Sequence, residues 1–247
     1  MRTPTASELL DVWEISIDSR PAERALALLA LALPELGADG AARCSIGTRD
    51  DLLLSLRERL FGARLTSVAH CPACDEAVET SLTAAALRAS LAPPGAIKQA
   101  PFELAADGYR IAYRLPTTED MLAIADESDP DAVRRLLLAR CILALQRGES
   151  DVTLAELPPA TVDALEAAMA AADPMADIEC ALTCPACAHG WRVDLDIVRY
   201  LWTELHGWAQ RLLVDVHTLA RTYGWREADI LAMSAGRRSL YVEMSAS

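Results

Sequence analysis

Aromatic side chains are scarce in this 247-residue chain, at 5% of the total. β-Branched residues are likewise few beside its Ala and Leu, so helix is favoured over most of the length. No apolar run is long enough to cross a bilayer. The longest, "ALALLALAL" from Ala25 to Leu33, stops at Pro34, far short of the ~20 residues that a span needs. The opening "MRTPTASELLDVWEISIDSR" is acidic and has no apolar signal core, and the cysteines are odd in number, seven. Both features place the chain in a reducing, cytosolic compartment. A chain of this length can bury the core of one or two domains without any disulfide framework.

Clustered basic charge is lacking too. The formal net charge is −13 and the isoelectric point is near 4.7, which counts against a general nucleic-acid binder, because phosphate binding relies on grouped Lys and Arg. A compact basic cluster, "GRRS" from Gly236 to Ser239, reads as a solvated helix face. Signatures of catalysis are missing as well: there is no Gly-rich phosphate loop, no G-x-S-x-G elbow and no H-E-x-x-H. The many carboxylates are spread over helix faces without evident pairing, so no enzyme is expected.

What the chain does have is a repeated knuckle. "AHCPACDEAV" and "LTCPACAHGW" place the same Cys-Pro-Ala-Cys at Cys71 to Cys74 and at Cys184 to Cys187. The flanks "RLTSVAH" and "EAVETSL", and likewise "ADIECALT" and "WRVDLDI", alternate as pairs of short strands do, which puts each knuckle at the tip of a β-hairpin. Two such turns supply four thiolates for one tetrahedral, structural Zn²⁺, the arrangement of a zinc ribbon. The halves are separated by everything from Asp75 to Thr183, so the ribbon is split and acts as a clasp. A thioredoxin-like redox pair fits two matched hairpin copies badly. A catalytic zinc would need an open position that four thiolates close. His70, His189 and Cys180 lie near enough in sequence to approach the metal. Cys44, Cys141 and Cys180 read as buried packing residues rather than ligands, and His206 and His217 as surface or interfacial residues of a long helix.

Around the knuckles the pattern is helical. Pro21 and Glu23 open "PAERALALLALAL", and Thr48 is placed to cap "RDDLLLSLRERLFG", which ends at Gly62. A Pro-Pro-Gly turn closes "ETSLTAAALRASLAPPGA" and leaves a connector toward residue 108. "GYRIAYRL" alternates like a strand, and Pro116 with "TTED" starts the next helix. Helices are expected around residues 131–147 and 158–172. In "DIVRYLWTELHGWAQRLLVDVHTLARTYGW" apolar residues from Ile197 to Tyr223 recur by threes and fours, a helix of ~40 Å that Gly224 ends in a left-handed cap. "READILAM" follows as a short helix, and Ser234 caps the last. Four of the five tryptophans come after residue 190. Trp and Arg are favoured interface anchors, so Trp202, Trp208, Trp225, Arg237 and Arg238 are the candidate partner-binding residues.

The stretch "LARTYGWREADILAMSAGRRSLYVEM" resembles the C-terminal signature of a family of baseplate proteins from contractile-tail phages and related phage-tail-like injection systems. The resemblance extends to "SIGTRDDLLLSLRERLFG", to "YRLPTTEDM" and to "CPACAHGWRVDLDIVRYLW". The chain departs from it in carrying Asp75 and Ala188 where a knuckle glycine is common. The resemblance implies a non-enzymatic structural or assembly protein of the baseplate or hub, made in the cytoplasm. Its partners would be other baseplate, hub or tape-measure proteins, with no nucleic acid and no membrane segment. It leaves open whether the chain stays in the particle or is an assembly chaperone for a hub or tape-measure protein. An adaptor of nucleic-acid metabolism is the competing class, but both knuckle regions carry more acids than bases. The expected architecture is mainly α, with helical bundles around a split four-cysteine zinc-ribbon clasp. It divides into N-terminal helices 1–62, the first ribbon half and connector 63–90, an inserted strand and helices 91–175, the second half 176–197 and C-terminal helices 198–247.

Overall fold

The computed structural model describes residues 1–91 and 101–245. Its helices are α1 (Ala6–Ile15), α2 (Pro21–Ala32), α3 (Gly37–Arg43), α4 (Ile46–Phe61), α5 (Ala84–Leu91), α6 (Thr118–Ala123), α7 (Pro130–Cys141), α8 (Pro159–Ala172), α9 (Ile197–Tyr223), α10 (Glu227–Leu231) and α11 (Ala235–Ser245). Its strands are β1 (Arg64–His70), β2 (Ala77–Thr83), β3 (Phe102–Ala106), β4 (Tyr109–Tyr113), β5 (Ile142–Arg147), β6 (Ser150–Asp151), β7 (Glu179–Thr183) and β8 (Gly190–Asp194). The fold is therefore predominantly helical with small antiparallel sheets, as composition implies. The Pro-Pro-Gly turn expected at residues 93–95 lies outside the described residues. No described helix is long and apolar enough to cross a membrane.

The chain forms two compact units, Met1–Ala38 with Ile197–Ser247, and Asp39–Asp196. The first unit is built on α9. Its stripe of Ile197, Leu201, Leu205, Leu212, Val216 and Leu219 is buried, with Val198, Trp202 and Ala209 beside it. Fully burying a leucine of this kind stabilises the fold by ~2 kcal/mol. Leu9, Leu10 and Trp13 of α1, Ala25, Leu28, Leu29 and Ala32 of α2, Leu33 just after it and Ile230 of α10 are also buried. α1 starts on a capping box: Thr5 Oγ1 accepts from the Glu8 N–H at 3.3 Å and the Glu8 carboxylate accepts from the Thr5 N–H at 2.8 Å. α2 starts on Pro21 and ends at Ala32, with Glu23 accepting from the Arg20 N–H at 2.8 Å. Gly224, at φ 69°, ends α9 in the left-handed conformation. Ser234 Oγ accepts from the Arg237 N–H at 3.4 Å at the start of α11.

Among the described residues the second unit contains three sheets. β3-β4-β5-β6 form one antiparallel sheet, and β1–β2 and β7–β8 are separate hairpins. The four-stranded sheet buries Tyr109, Ile111, Tyr113 and Leu145 against Leu138 and Cys141 of α7 and Leu165 and Met169 of α8. β3 and β4 are joined by Asp107 and Gly108, both at positive φ, 50° and 80°, as a two-residue hairpin with right-handed strand twist requires.

Three sequence expectations are corrected here. The helix after residue 45 is capped by Ser45, whose Oγ accepts from the Thr48 N–H at 3.2 Å, so Thr48 lies inside α4 rather than at its cap. The helix expected to residue 147 stops at Cys141, and Ile142–Arg147 pair with β4 instead. Leu138, Cys141 and Leu145 are spaced by three and four, as a helix would place them, yet they reach one core from a helix and then from a strand. β3, expected only as connector, carries its own alternation, with Phe102, Leu104 and Ala106 on the more buried side.

Candidate metal centre

The two knuckles are copies of one backbone device. β1 and β2 pair from Arg64↔Thr83 to His70↔Ala77, leaving Cys71 to Glu76 as the tip. β7 and β8 pair from Glu179↔Asp194 to Thr183↔Gly190, leaving Cys184 to His189. In the first, the Asp75 N–H donates to the Cys71 carbonyl at 2.9 Å and the Cys71 N–H to the Glu76 carbonyl at 2.9 Å. In the second, the Ala188 N–H donates to the Cys184 carbonyl at 3.0 Å and the Cys184 N–H to the His189 carbonyl at 2.9 Å. Asp75 and Ala188 stand at φ 60° and 58°. The turn thus keeps the left-handed residue that a glycine would supply, at a steric cost to the side chains that replace it.

The tips bring four sulfurs together. Cys71 Sγ lies 3.7 Å from Cys187 Sγ, and Cys74 Sγ 3.6 Å from Cys184 Sγ. All four sulfurs lie within 4.8 Å of one another. These spacings are too long for disulfides, which hold sulfurs at ~2.05 Å. A tetrahedral ion with metal–sulfur bonds of ~2.3 Å has edges of ~3.8 Å, close to both measured pairs. The donor set therefore fits a metal that favours four thiolates. Cys71 and Cys184 are buried, while Cys74 and Cys187 face outward.

Protons are held unequally over this cluster. Burial opposes ionisation of Cys184, but the backbone amides of Cys187 and Ala186 and the sulfurs of Cys74 and Cys187 lower its pKa to about 7. The backbone amide of Glu76 favours the Cys74 thiolate, yet the sulfurs of Cys187, Cys184 and Cys71 push it up to about 12. Negative charge on one sulfur disfavours it on the next, and a bound cation relieves that conflict.

Among the described residues the cluster contains these four side chains and no other. His70 is exposed, its Nδ1 3.2 Å from the Asp75 carbonyl oxygen. His189 stacks on Trp191 with ring centroids 6.3 Å apart. Cys180 is a half-buried residue of β7 opposite Val193, and burial raises its thiol pKa. Cys141 is fully buried, its thiol pushed up to about 11 by burial and then by Asp120. Cys44 lies half-buried just beyond α3, with its Sγ 3.4 Å from the Gly40 carbonyl oxygen.

The candidate partner residues fall in different settings. Trp202 is buried, with the Arg24 guanidinium 4.4 Å from its ring centroid. Trp208 and Trp225 are half-buried, and Arg237 is exposed. Arg238 is buried, its Nε 3.4 Å from Asp215 Oδ2.

Two polar junctions in the second unit were not singled out in the sequence. Asp120, with a side chain only 1% exposed, is gripped by Arg114 at 2.5 and 2.8 Å and by Arg140 at 2.8 Å. Burial works against its charge, but these arginines and Thr117 hold its pKa well below the usual carboxylate range. The other junction is the first turn of α4. There the Gly47 N–H donates to Asp173 Oδ2 at 2.9 Å and the Ile46 N–H to the Pro116 carbonyl at 3.0 Å. "YRLPTTED" signalled the first through its cap, but the arginines that share Asp120 come from separate elements.

A sequence model described as T4 bacteriophage base plate protein matches residues 31–199, more than half of the chain and inclusive of both knuckles. No curated protein and no solved structure matches the chain.

Proposed function

The chain belongs to the T4 bacteriophage base plate protein family, and from that membership we propose a non-enzymatic structural or assembly protein of the baseplate or hub of a contractile phage tail or phage-tail-like injection system. One structural Zn²⁺ stabilises it, bound by Cys71, Cys74, Cys184 and Cys187. The observation that carries the zinc assignment is the meeting of two Cys-Pro-Ala-Cys tips, 110 residues apart between Cys74 and Cys184, at tetrahedral spacing. Four thiolates suit zinc and leave no open position for a substrate or an activated water. The two hairpins then form the halves of a zinc ribbon that clasps a long inserted segment. Closing so long a loop disfavours the unfolded chain.

The acidic balance of the chain and its family support contact with other baseplate proteins rather than with nucleic acid. Mass spectrometry of purified particles from the native host tests the role. A component of the particle is recovered in stoichiometric amount. An assembly chaperone is found bound to a hub or tape-measure protein in the cell and absent from finished particles. Absence from both overturns the proposal.

A further inference from the structure

The first unit carries two exposed apolar patches rimmed by opposite charge. The first lies where α1 ends. Ile15 is 81% exposed and Ile17 41%. Beside them Asp11, Glu14 and Asp18 are exposed and have no ion-pair partner among the described residues. Arg24 fixes where this patch sits, because its guanidinium donates to the Ile17 carbonyl at 2.5 Å while lying over the Trp202 ring.

The second patch lies at the other end of α9. Tyr223 stacks on Trp225 with centroids 4.5 Å apart, and Tyr241 meets Trp225 edge-on at 4.9 Å. α11 turns Arg238 inward, so Arg237, Leu240 and Met244, spaced by three and four, share the opposite face. Leu240 is 57% exposed and Met244 62%. Arg221, Arg226 and Arg237 are exposed and have no ion-pair partner among the described residues. Of the acids nearby, Glu227 and Asp229 sit in the first turn of α10, where the helix dipole favours them, and Glu243 of α11, beside Met244, is already partnered. The stretch of α9 from Trp202 to Tyr223 spans ~30 Å at ~1.5 Å per residue, so the two patches lie near opposite ends of it.

Single exposed apolar residues need no explanation, whereas grouped ones with a rim of one charge mark contact surfaces. A chain of net charge −13 repels its own copies on average. Here, however, free arginines around an aromatic centre on one end match free acids around two isoleucines on the other. We infer that the protein associates with a second copy of itself head to tail, the Tyr223–Trp225–Tyr241 end of one first unit docking on the Ile15–Ile17 end of the next. Such a contact uses different surfaces on the two copies, so each pairing leaves one acidic and one basic end free, and assembly proceeds to a ring or an open chain.

The test is sedimentation velocity on the purified full-length chain over a concentration series, at low and at high salt. The mass rises above that of the monomer with concentration and falls back as salt screens the charged rims. Ile15→Asp and Arg237→Glu each weaken association about tenfold or more without lowering the melting temperature, since both side chains are exposed. Mixing the two variants is the decisive arm. Ile15→Asp keeps a working basic end and Arg237→Glu a working acidic end, so the mixture forms a complex that stops at the dimer. A wild-type chain that stays monomeric up to its solubility limit overturns the inference. So does a mixture that behaves like either variant alone. Because the purified chain is tested by itself, either failure leaves the baseplate role untouched.

Discussion

Cys74 and Cys184 lie 110 residues apart in the chain, yet their sulfurs are 3.6 Å apart. Neither hairpin alone brings more than two cysteines to the cluster, so tight metal binding would require both to be in place. Cys184→Ser is therefore expected to abolish tight zinc binding and to destabilise the second unit by up to ~4–5 kcal/mol, the loop-closure figure for a loop of about this length. Far-UV circular dichroism should show most helices retained. Full zinc content with unchanged stability in this variant contradicts the assignment. Cys44→Ala with Cys141→Ala leaves the metal content intact, and its loss there would reassign the ligands.

The left-handed knuckle residues make a finer prediction. Ala188 gains nothing from φ 58° and carries the steric penalty of its Cβ there. Ala188→Gly is expected to stabilise the metal-loaded protein by ~0.5–1 kcal/mol, after the larger unfolded-state entropy of glycine is subtracted. Asp75→Gly gains less, because Asp tolerates this region better. Denaturant midpoints of the two variants measure the order.

Gly47 is fixed by a neighbour rather than by its own φ. A Cβ there would come within 2.1 Å of Asp173 Oδ1 and 2.8 Å of the Ala176 amide nitrogen. Gly47→Ala is expected to cost ~1–3 kcal/mol through overpacking. Asp173→Ala removes the clash with the carboxylate but not with the backbone, so the double variant recovers only part of the loss.

Asp120 sets an acid limit on stability. Its folded pKa is depressed by Arg114, Arg140 and Thr117 acting against burial, so its contribution is full above the unfolded value of ~3.9 and is lost as pH falls through the folded one. Asp120→Asn leaves both arginines, themselves partly exposed, without their shared carboxylate and is expected to cost ~1.5–3 kcal/mol at neutral pH. Its stability should then vary less than wild type's below pH ~4. An equal slope for both proteins would remove Asp120 from the acid transition.

The four-cysteine cluster was legible in the sequence because its signals are local: spacing, proline and alternating flanks all lie within ten residues of each cysteine. The long helix and most caps were legible for the same reason. Where reading failed, distant residues decided. Ile142–Arg147 become a strand because β4 offers them an edge, with Leu145 paired to Ile111. The cap falls on Ser45 rather than Thr48 because the next two amides, of Ile46 and Gly47, are held by Pro116 and Asp173, far along the chain. The Arg114–Asp120–Arg140 cluster was invisible for the same reason, since α6 and α7 must first pack for Asp120 to be shared.

X-ray absorption at the zinc edge, on the purified full-length chain, tests the metal clasp most directly. One zinc per chain, surrounded by four sulfurs at ~2.3 Å, is the predicted result. A shell containing nitrogen or oxygen donors, or a chain that purifies and folds stably without zinc, would contradict it.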